Sequence, residues 1–203
     1  MGIIERRENE KRVMRENILD AALHLCIEKG FNQVSIRNIA DKIQYSPSNI
    51  YLYFKDKNSI IFELHNQGFI KLYEKQQAIQ HITDPVDRLI AHAHAYLQFS
   101  YENRELYDIM FLQNGVDNKL LENKDMDLGE RSYDLLRQNI SECMQAGYFK
   151  DMNIEIVSFY MWSLVHGMAT LRIRNRIVLS ELCCIPEEEL FTMAIGLVRG
   201  FIK

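Results

Sequence analysis

Two closely spaced helix-start signals place the tightest constraint on the front of this chain. Ser35 is a favourable N-cap, and the apolar residues that follow it recur at the spacing of an amphipathic helix. Ser46 and Pro47 then repeat the signal, with a capping serine before a proline at the first helical position. Short helices over 36–43 and 47–53, packed on a longer first helix, would form a helix-turn-helix.

Helix signals continue to the C-terminus, in a chain of 203 residues with only 3 Pro and 9 Gly. Asp56, Asp84, Asn103 and Asn153 are the expected caps of later helices, and residues 114–126 are polar enough to form a loop. The helices outside the helix-turn-helix are expected at about 12–29, 57–81, 85–101, 103–113, 127–146, 153–173 and 186–203. The sequence therefore predicts an all-α fold of about nine helices.

The charge of the chain is unevenly distributed. Residues 1–57 hold 10 Lys and Arg against 8 Asp and Glu, whereas the remaining residues hold 14 against 20. A mildly basic front on an acidic body is typical of a small DNA-binding module joined to another domain.

The outward face of the predicted third helix differs from an ordinary solvent-exposed face. It carries Ser48, Asn49, Leu52 and Tyr53, with Tyr51 at its edge, and no carboxylate lies between Asp41 and Asp56. Hydroxyl and amide groups can hydrogen-bond to phosphates or base edges, whereas a carboxylate would repel phosphate. This face is expected to contact DNA, and the alternative is a tightly packed helical corner in which the tyrosines fill an interface.

Lys55 and Lys57 lie where the fourth helix begins. The ammonium groups and the free backbone amides of a helix N-terminus both favour an anion such as phosphate.

Residues 15–62 resemble the DNA-binding region of the tetracycline-repressor (TetR) family of bacterial transcription regulators. The matching segments are ILDAA (18–22), GF (30–31), SIRNIA (35–40) and above all SPSNIYLYFKDK (46–57). In that family the first helices form a homeodomain-like head, and the other helices dimerise and enclose a small-molecule pocket. The resemblance implies a DNA-binding domain over 1–56, with the helix-turn-helix at about 35–54, and a regulatory domain over 57–203.

The resemblance also implies which residues contact bases and phosphates. These residues are Ser35, Arg37, Ser46, Pro47, Ser48, Asn49, Tyr51, Tyr53, Lys55 and Lys57. Two positions depart from the family pattern. Gln44 occupies the place of the usual turn glycine, so we expect a left-handed backbone that is unfavourable for a residue with a side chain. Ser48 replaces a small residue, often glycine, that allows close approach to DNA.

The second half resembles a subset of regulatory domains marked by Trp and then His-Gly on the eighth helix (the WHG type). The motif is Trp162, His166 and Gly167. Trp162 and His166 share a helix face and could line a pocket, or form a core tryptophan stacked on a hydrogen-bonded histidine. The candidate effector contacts, for which plain core packing is the alternative, are Tyr96, Phe99, Tyr107, Met110, Phe111, Tyr133, Trp162 and His166.

A homodimer is expected because one seven-residue helix contacts too few bases for useful specificity. Two heads about 34–36 Å apart, or a multiple of that distance, would combine their contacts. The last two helices supply faces for a four-helix dimer core, with candidate residues Phe159, Leu164, Phe191, Ile195 and Val198. The apolar stretch 156–171 would span only about 24 Å as a helix, so burial between subunits is favoured over a membrane span.

Catalytic and metal-binding patterns are absent from the sequence. His92 and His94 point to different sides of a helix, and no nucleophile with its base and no phosphate-binding glycine loop is present. Cys26 lies on an apolar helix face and is expected to be a buried thiol, while Cys183 and Cys184 have no assigned role. Without a secretory signal pattern, a cytoplasmic location is expected.

The sequence therefore predicts a dimeric repressor that binds a palindromic DNA operator and releases it when a small-molecule effector binds, with no cofactor or metal. An activator without an effector and a helical protein-interaction module remain as alternatives. The second half shows no obvious cluster of charged groups, which favours an apolar or aromatic effector.

Overall fold

Helices make up most of the computed structural model, which describes residues 2–112, 127–177 and 185–201, and no strand occurs within those ranges. The helices are α1 (Ile3–Lys29), α2 (Ile36–Lys42), α3 (Pro47–Ile50), α4 (Lys57–Ala78), α5 (Pro85–Glu102), α6 (Arg104–Tyr107), α7 (Asp127–Gln145), α8 (Ile154–Ile173), α9 (Glu187–Gly196) and α10 (Val198–Phe201). A 3₁₀ turn, Phe31–Gln33, follows α1, and a π-helical turn, Asp108–Leu112, follows α6. The all-α prediction is confirmed.

Side-chain caps begin several helices where the sequence predicts them. The Ser35 hydroxyl accepts a hydrogen bond from the backbone of Asn38, and the Asp84 carboxylate accepts from two backbone amides of α5. Asn153 accepts in the same way at the start of α8, and Asp56 Oδ1 accepts from the Ser59 amide at 2.7 Å at the start of α4. Each cap satisfies a backbone donor that the first helical turn would otherwise leave unpaired.

Several boundaries differ from the prediction for reasons of local geometry. α1 begins at Ile3 rather than near residue 12, and α3 is a single turn that continues only as tight turns through Tyr53. Asn103 does not cap α6: it ends α5, and its carboxamide contacts Lys71 Nζ and the Phe99 carbonyl. The last helix is interrupted at Leu197. The predicted loop at 114–126 and the two cysteines at 183 and 184 lie outside the described residues.

The chain divides into two compact units. The first consists of Met1–Gly68 and Glu105–Met126, and the second of Phe69–Arg104 and Asp127–Lys203. The domain boundary expected near residue 56 stays a prediction.

The first unit is organised around the apolar face of α1. Its core residues, each at most 7% exposed, include Ile18, Ala22 and Leu25 of α1, Ile39 and Ala40 of α2, Ile50, Phe54, and Ile60, Ile61 and Leu64 of α4. Burial of this apolar surface holds the two short helices on α1, because neither is long enough to be stable alone.

In the second unit, α5, α7 and α8 pack together around a core that contains Leu89, Ile140 and Met161. The Arg172 guanidinium at the end of α8 lies 3.6 Å from the centre of the Tyr101 ring and makes an ion pair with Glu187 at the start of α9. Arg172 of α8 therefore contacts both α5 and α9 and stabilises their packing.

Three predicted dimer residues belong to the core of their own chain. Phe191, Ile195 and Val198 are at most 7% exposed, so they cannot reach a partner without opening the second unit. Leu164 is half-buried against the same core, whereas Phe159 is exposed. The sequence pattern identified α8 and the last helix as apolar but did not show which side of each faces inward.

The outer side of α8 carries an exposed apolar row, defined by Ile156, Phe159, Tyr160 and Leu171. Ser163 and Gly167 lie on the same side, and a Cβ added at Gly167 would meet no atom within 4 Å. Length and composition alone would allow α8 to cross a membrane, but a third of its apolar window is buried inside the protein. We refer to this surface as the α8 row.

Candidate nucleic-acid interface

The backbone of α3 is held in place from beneath by its apolar residues. The Ile50 side chain is fully buried, and Phe54 is 4% exposed. The Arg15 guanidinium lies 4.4 Å from the centre of the Phe54 ring, donates to the Tyr53 carbonyl at 2.9 Å and pairs with Glu63 at 2.8 Å. One arginine of α1 therefore joins the end of the α3 segment to α4.

The turn that aims α3 is built around Gln44. Its φ angle is 61°, which is the left-handed conformation expected when a side chain replaces the turn glycine. The Tyr45 amide donates to the Ala40 carbonyl at 2.9 Å, and the Gln44 amide donates to the Asp41 carbonyl at 3.2 Å. These two bonds form a Schellman motif at the end of α2. The expectation of a left-handed Gln44 is confirmed.

Most of the predicted DNA contacts lie on the protein surface. Ser35, Arg37, Ser46, Pro47, Ser48, Tyr51 and Lys55 are exposed, and Asn49, Tyr53 and Lys57 are partly buried. Tyr51 is 57% exposed, although burial of an aromatic ring within the protein would lower its free energy. No carboxylate interrupts this surface between Asp41 and Asp56, so its polar groups can approach phosphate without repulsion.

Ser46 occupies the N-cap position of α3, but its hydroxyl makes no capping hydrogen bond. The helix instead starts through the Ser46 carbonyl, which accepts from the Asn49 amide at 3.0 Å. The expected capping role of the hydroxyl is therefore wrong, and this exposed group is not used by the first turn of α3. It can donate to a phosphate or a base edge.

Lys57 and Tyr53 have contacts inside the protein that the sequence did not indicate. The Lys57 ammonium donates to the Phe31 carbonyl at 3.2 Å and lies 4.2 Å from the centre of the Phe31 ring. An ammonium has three donors, so this bond leaves donors for a phosphate. Tyr53 packs against the core of the first unit, which limits it to contacts through its exposed edge.

Leu52, predicted on the outward face, is exposed, and Tyr45 is an exposed residue that was not predicted. Tyr45 is 45% exposed and immediately precedes Ser46, and Leu52 is 78% exposed and lies between Tyr51 and Tyr53. Their apolar atoms suit contact with thymine methyl groups or sugars. Tyr45 was missed because sequence periodicity does not show that the left-handed residue before it turns the ring outward.

In the second unit, the structure brings four of the predicted effector residues together. The Tyr96 hydroxyl lies 3.1 Å from His166 Nδ1, and the His166 and Trp162 rings have centroids 5.6 Å apart. Tyr133 meets Trp162 edge to face at 6.3 Å. Burial lowers the pKa of His166, so its imidazole is favoured in the neutral form. We call these four residues the aromatic cluster.

The other predicted effector residues are divided between the two units. Phe99 is fully buried in the second unit, whereas Tyr107, Met110 and Phe111 belong to the first. A cavity of about 480 Å³ in the second unit is lined by Tyr101, Arg104, Arg172, Ile173, Asn175, Ile177 and Glu187, none of which was predicted. Sequence periodicity found the inward-facing aromatic residues but could not separate core from cavity wall.

Two cysteine thiols in the described residues are buried, as expected for Cys26. Burial raises the pKa of Cys26 and that of Cys143 to about 11 each, so both thiols stay protonated and poorly reactive at neutral pH. Across residues 2–112, 127–177 and 185–201, no group of His, Cys, Asp and Glu is arranged to hold a metal ion.

Family models match both halves of the chain. A model described as "Bacterial regulatory proteins, tetR family" matches residues 18–64, which include the whole helix-turn-helix. A second, described as "Tetracyclin repressor-like, C-terminal domain", matches residues 89–196, more than half of the chain. The chain belongs to the TetR family. It is a DNA-binding transcriptional regulator and not an enzyme, while membership of the WHG subset stays a prediction.

Curated relatives of this TetR-family protein are regulators. It is 29% identical over 164 residues to the HTH-type transcriptional regulator HbdR of Aromatoleum sp. (strain CIB), covering 75% of this chain and 69% of the relative. It is 23% identical over 177 residues to the regulator UidR of Escherichia coli (strain K12), covering 82% of this chain and 85% of UidR.

Solved structures share the fold over most of the chain. The regulator FadR of Bacillus subtilis, solved in complex with stearoyl-CoA, has a TM-score of 0.73 at 16% identity and covers 90% of this chain and 96% of FadR. The ketosteroid regulator KstR2 of Mycobacterium tuberculosis has a TM-score of 0.71 at 15% identity, over 94% of this chain and 95% of KstR2. At these identities the likeness concerns the fold alone.

Proposed function

We propose that this TetR-family regulator is a cytoplasmic, ligand-responsive repressor that binds a palindromic operator as a homodimer. Residues 1–56 would bind DNA, and residues 57–203 would dimerise and hold the effector. The observation that carries the proposal is the exposed, carboxylate-free surface around α3, which includes exposed Tyr51 and exposed Ser46, whose hydroxyl makes no capping bond.

The DNA contacts we propose have different tasks. Ser48, Asn49 and Tyr51 on α3 would read base edges and methyl groups in the major groove. Arg37, Lys55 and Lys57 flank this surface and would hold phosphates, which set the register of the head on the duplex. The donors that remain on the Lys57 ammonium support this role.

The α8 row supports a homodimer. Ile156, Phe159 and Tyr160 expose apolar surface along one side of α8, and Gly167 has open space beside it. Apolar surface of this kind gains free energy when another helix covers it, and a glycine allows that helix to come close. Met193 and Leu197 of the last helices are also exposed, as a four-helix dimer core would require.

An effector with an extended or ring-containing apolar body is proposed for the second unit. The aromatic cluster supplies ring surface, and Tyr96 with neutral His166 supplies a polar pair for orientation. The fold is shared with FadR, solved with stearoyl-CoA, and with the ketosteroid regulator KstR2, and both stearoyl and steroid groups are largely apolar. The effector would act by binding more tightly to the conformation whose heads do not fit the operator.

DNA binding is tested with Tyr51→Ala, measured by fluorescence anisotropy on an operator selected from random duplexes. Loss of the ring contacts should weaken binding about tenfold or more, which corresponds to about 1.4 kcal/mol. Ile70→Ala, at an exposed apolar residue of α4 outside both candidate interfaces, is the comparison and should bind the operator as the wild type does.

Normal operator binding by Tyr51→Ala would show that α3 does not form the DNA surface. If the wild type bound duplex DNA with no dependence on salt, the helical protein-interaction module would be the better function, because phosphate contacts release counterions.

A further inference from the structure

α1 extends beyond the core of its unit as an exposed helical arm. Every side chain from Ile4 to Val13 is exposed, and the first fully buried residue is Ile18. At 1.5 Å per residue this arm is about 15 Å long. Since it buries no side chain, packing within the chain does not explain its residue pattern.

Basic residues continue the inward-facing side of α1 along the arm. At 3.6 residues per turn, Arg7, Lys11 and Arg15 are spaced about one turn apart, and they lie within about 60° of Ile18 around the helix axis. Where α1 packs in the core, this side carries Ile18 and Ala22 instead. We call Arg7 and Lys11 the basic row of the arm.

The basic row leads toward the candidate DNA interface. Arg15, the next residue of the same side, donates to the Tyr53 carbonyl at 2.9 Å and lies 4.4 Å from the Phe54 ring centre. Tyr53 and Phe54 lie between exposed Tyr51 and exposed Lys55. The side of α1 that carries the row therefore contacts the segment that follows α3.

Other arginines of the arm are already neutralised. Arg6 pairs with Glu10 at 2.8 Å, and Arg12 pairs with Glu16 at 2.7 Å, on sides of the helix away from the row. Within the part of the chain that the structure describes, Arg7 and Lys11 have no ion-pair partner and are exposed. Glu8 lies at the edge of the row, about 60° from Lys11 and about 100° from Arg7 around the axis.

We propose that Arg7 and Lys11 bind the phosphate backbone of duplex DNA beside the groove that α3 enters. This inference rests on the proposed function, because it extends the same interface by a helical arm. Charge complementarity and the contact of Arg15 with the α3 segment carry it. Phosphate contacts of this kind raise affinity for every sequence and steepen its salt dependence, but they do not discriminate between bases.

The test compares two double variants that remove the same charge. Arg7→Gln with Lys11→Gln removes the basic row, and Arg6→Gln with Arg12→Gln removes the paired arginines of the other sides. Binding of full-length protein to duplex DNA of mixed sequence and to a selected operator is measured by anisotropy over a range of salt concentrations. Circular dichroism checks that the arm of each variant is still helical.

A plot of log K against log salt has a negative slope, and loss of the row should make that slope shallower by about 0.9 for each phosphate contact, on both duplexes. The ratio of specific to non-specific affinity should stay unchanged. The control pair should change the slope by less than half as much. The double variant Arg7→Lys with Lys11→Arg keeps both positive charges, so its slope should equal that of the wild type.

Equal slopes in the wild type and the basic-row variant would overturn the arm proposal while leaving α3 as the DNA surface. Failure of the wild type to bind either duplex would instead overturn the proposed function. A basic-row variant that loses only operator preference would also contradict the proposal, since it would assign the row to base contacts.

Discussion

At the scale of single residues, Gln44 has the least favourable backbone conformation near the DNA surface. Its φ of 61° places a side chain where glycine is favoured. Gln44→Gly should raise the free energy of unfolding by about 0.5–1 kcal/mol, because relief of the left-handed cost exceeds the added freedom of the unfolded chain. Urea unfolding measures the change. A lower stability of the variant would show that the glutamine side chain itself holds the turn.

Buried His92 predicts a loss of stability in acid. Its Nε2 lies 2.9 Å from Gln76 Nε2, and burial lowers the pKa of His92 from 6.5 to about 4. Between these values the unfolded chain binds a proton that the folded chain does not. Stability is therefore fully present above pH 6.5 and falls as the pH drops toward 4, by up to about 3 kcal/mol.

The histidine contribution is separated by repeating urea unfolding from pH 7.5 to 4.5 with His92→Gln, which keeps a polar partner for Gln76. The free energy of unfolding of the variant should fall less steeply with decreasing pH, because its unfolding takes up about one proton fewer. Identical pH profiles for the two proteins would contradict a neutral buried His92.

The roles of some residues could be predicted from their neighbours in the sequence, whereas the contacts of others could not. Ser35 and Gln44 behave as expected because caps and left-handed turns depend on neighbours in the sequence. Lys57 and Asn103 make contacts that were not expected. The partner of Lys57 is Phe31, 26 residues away, and the partner of Asn103 is Lys71, 32 residues away. Which distant group a side chain meets depends on packing that the periodicity of one helix does not encode.

At the scale of elements, α4 and the π-helical turn of the first unit meet at a glycine. A Cβ on Gly68 would lie 2.2 Å from Met110 Sδ. Gly68→Ala should lower the free energy of unfolding by about 1–3 kcal/mol through overpacking, despite the better helix propensity of alanine. A thermal unfolding scan would measure the loss.

Gly129→Ala provides the comparison for this prediction. Its added Cβ would be 3.3 Å from the end of the Phe69 ring, a much milder overlap than 2.2 Å, so its cost should be smaller. If Gly68→Ala proved as stable as the wild type, the close approach of α4 to Met110 would not constrain the unit.

Helix patterns predicted the elements better than their ends and faces. α8 spans Ile154–Ile173, close to the predicted range, because its cap and apolar length are both strong signals. The inward side of the last helices was assigned wrongly for Phe191, Ile195 and Val198. An apolar residue predicts burial, but it does not say whether its own chain or a second copy covers it.

At the scale of the whole molecule, the α8 row predicts the oligomeric state. Multi-angle light scattering should give a mass near twice 24.0 kDa, and Phe159→Glu should shift the protein toward monomer, because a carboxylate would be buried against an apolar surface. Ile70→Glu, a change at an exposed apolar residue of α4, should leave the mass unchanged.

A wild type that stays monomeric at micromolar concentration would remove the basis for two-headed recognition. An unchanged mass for Phe159→Glu would place the dimer interface on another surface.

Selection of bound sequences from a random duplex library by the full-length protein is the most direct test of the central claim. The account predicts an enriched palindrome whose half-sites lie about one helical turn apart, or a multiple of it, because two symmetry-related α3 helices enter successive major grooves. The same selection with Tyr51→Ala should lose that enrichment. Recovery of no preferred sequence, or of a lone half-site without symmetry, would contradict a dimeric operator-binding repressor.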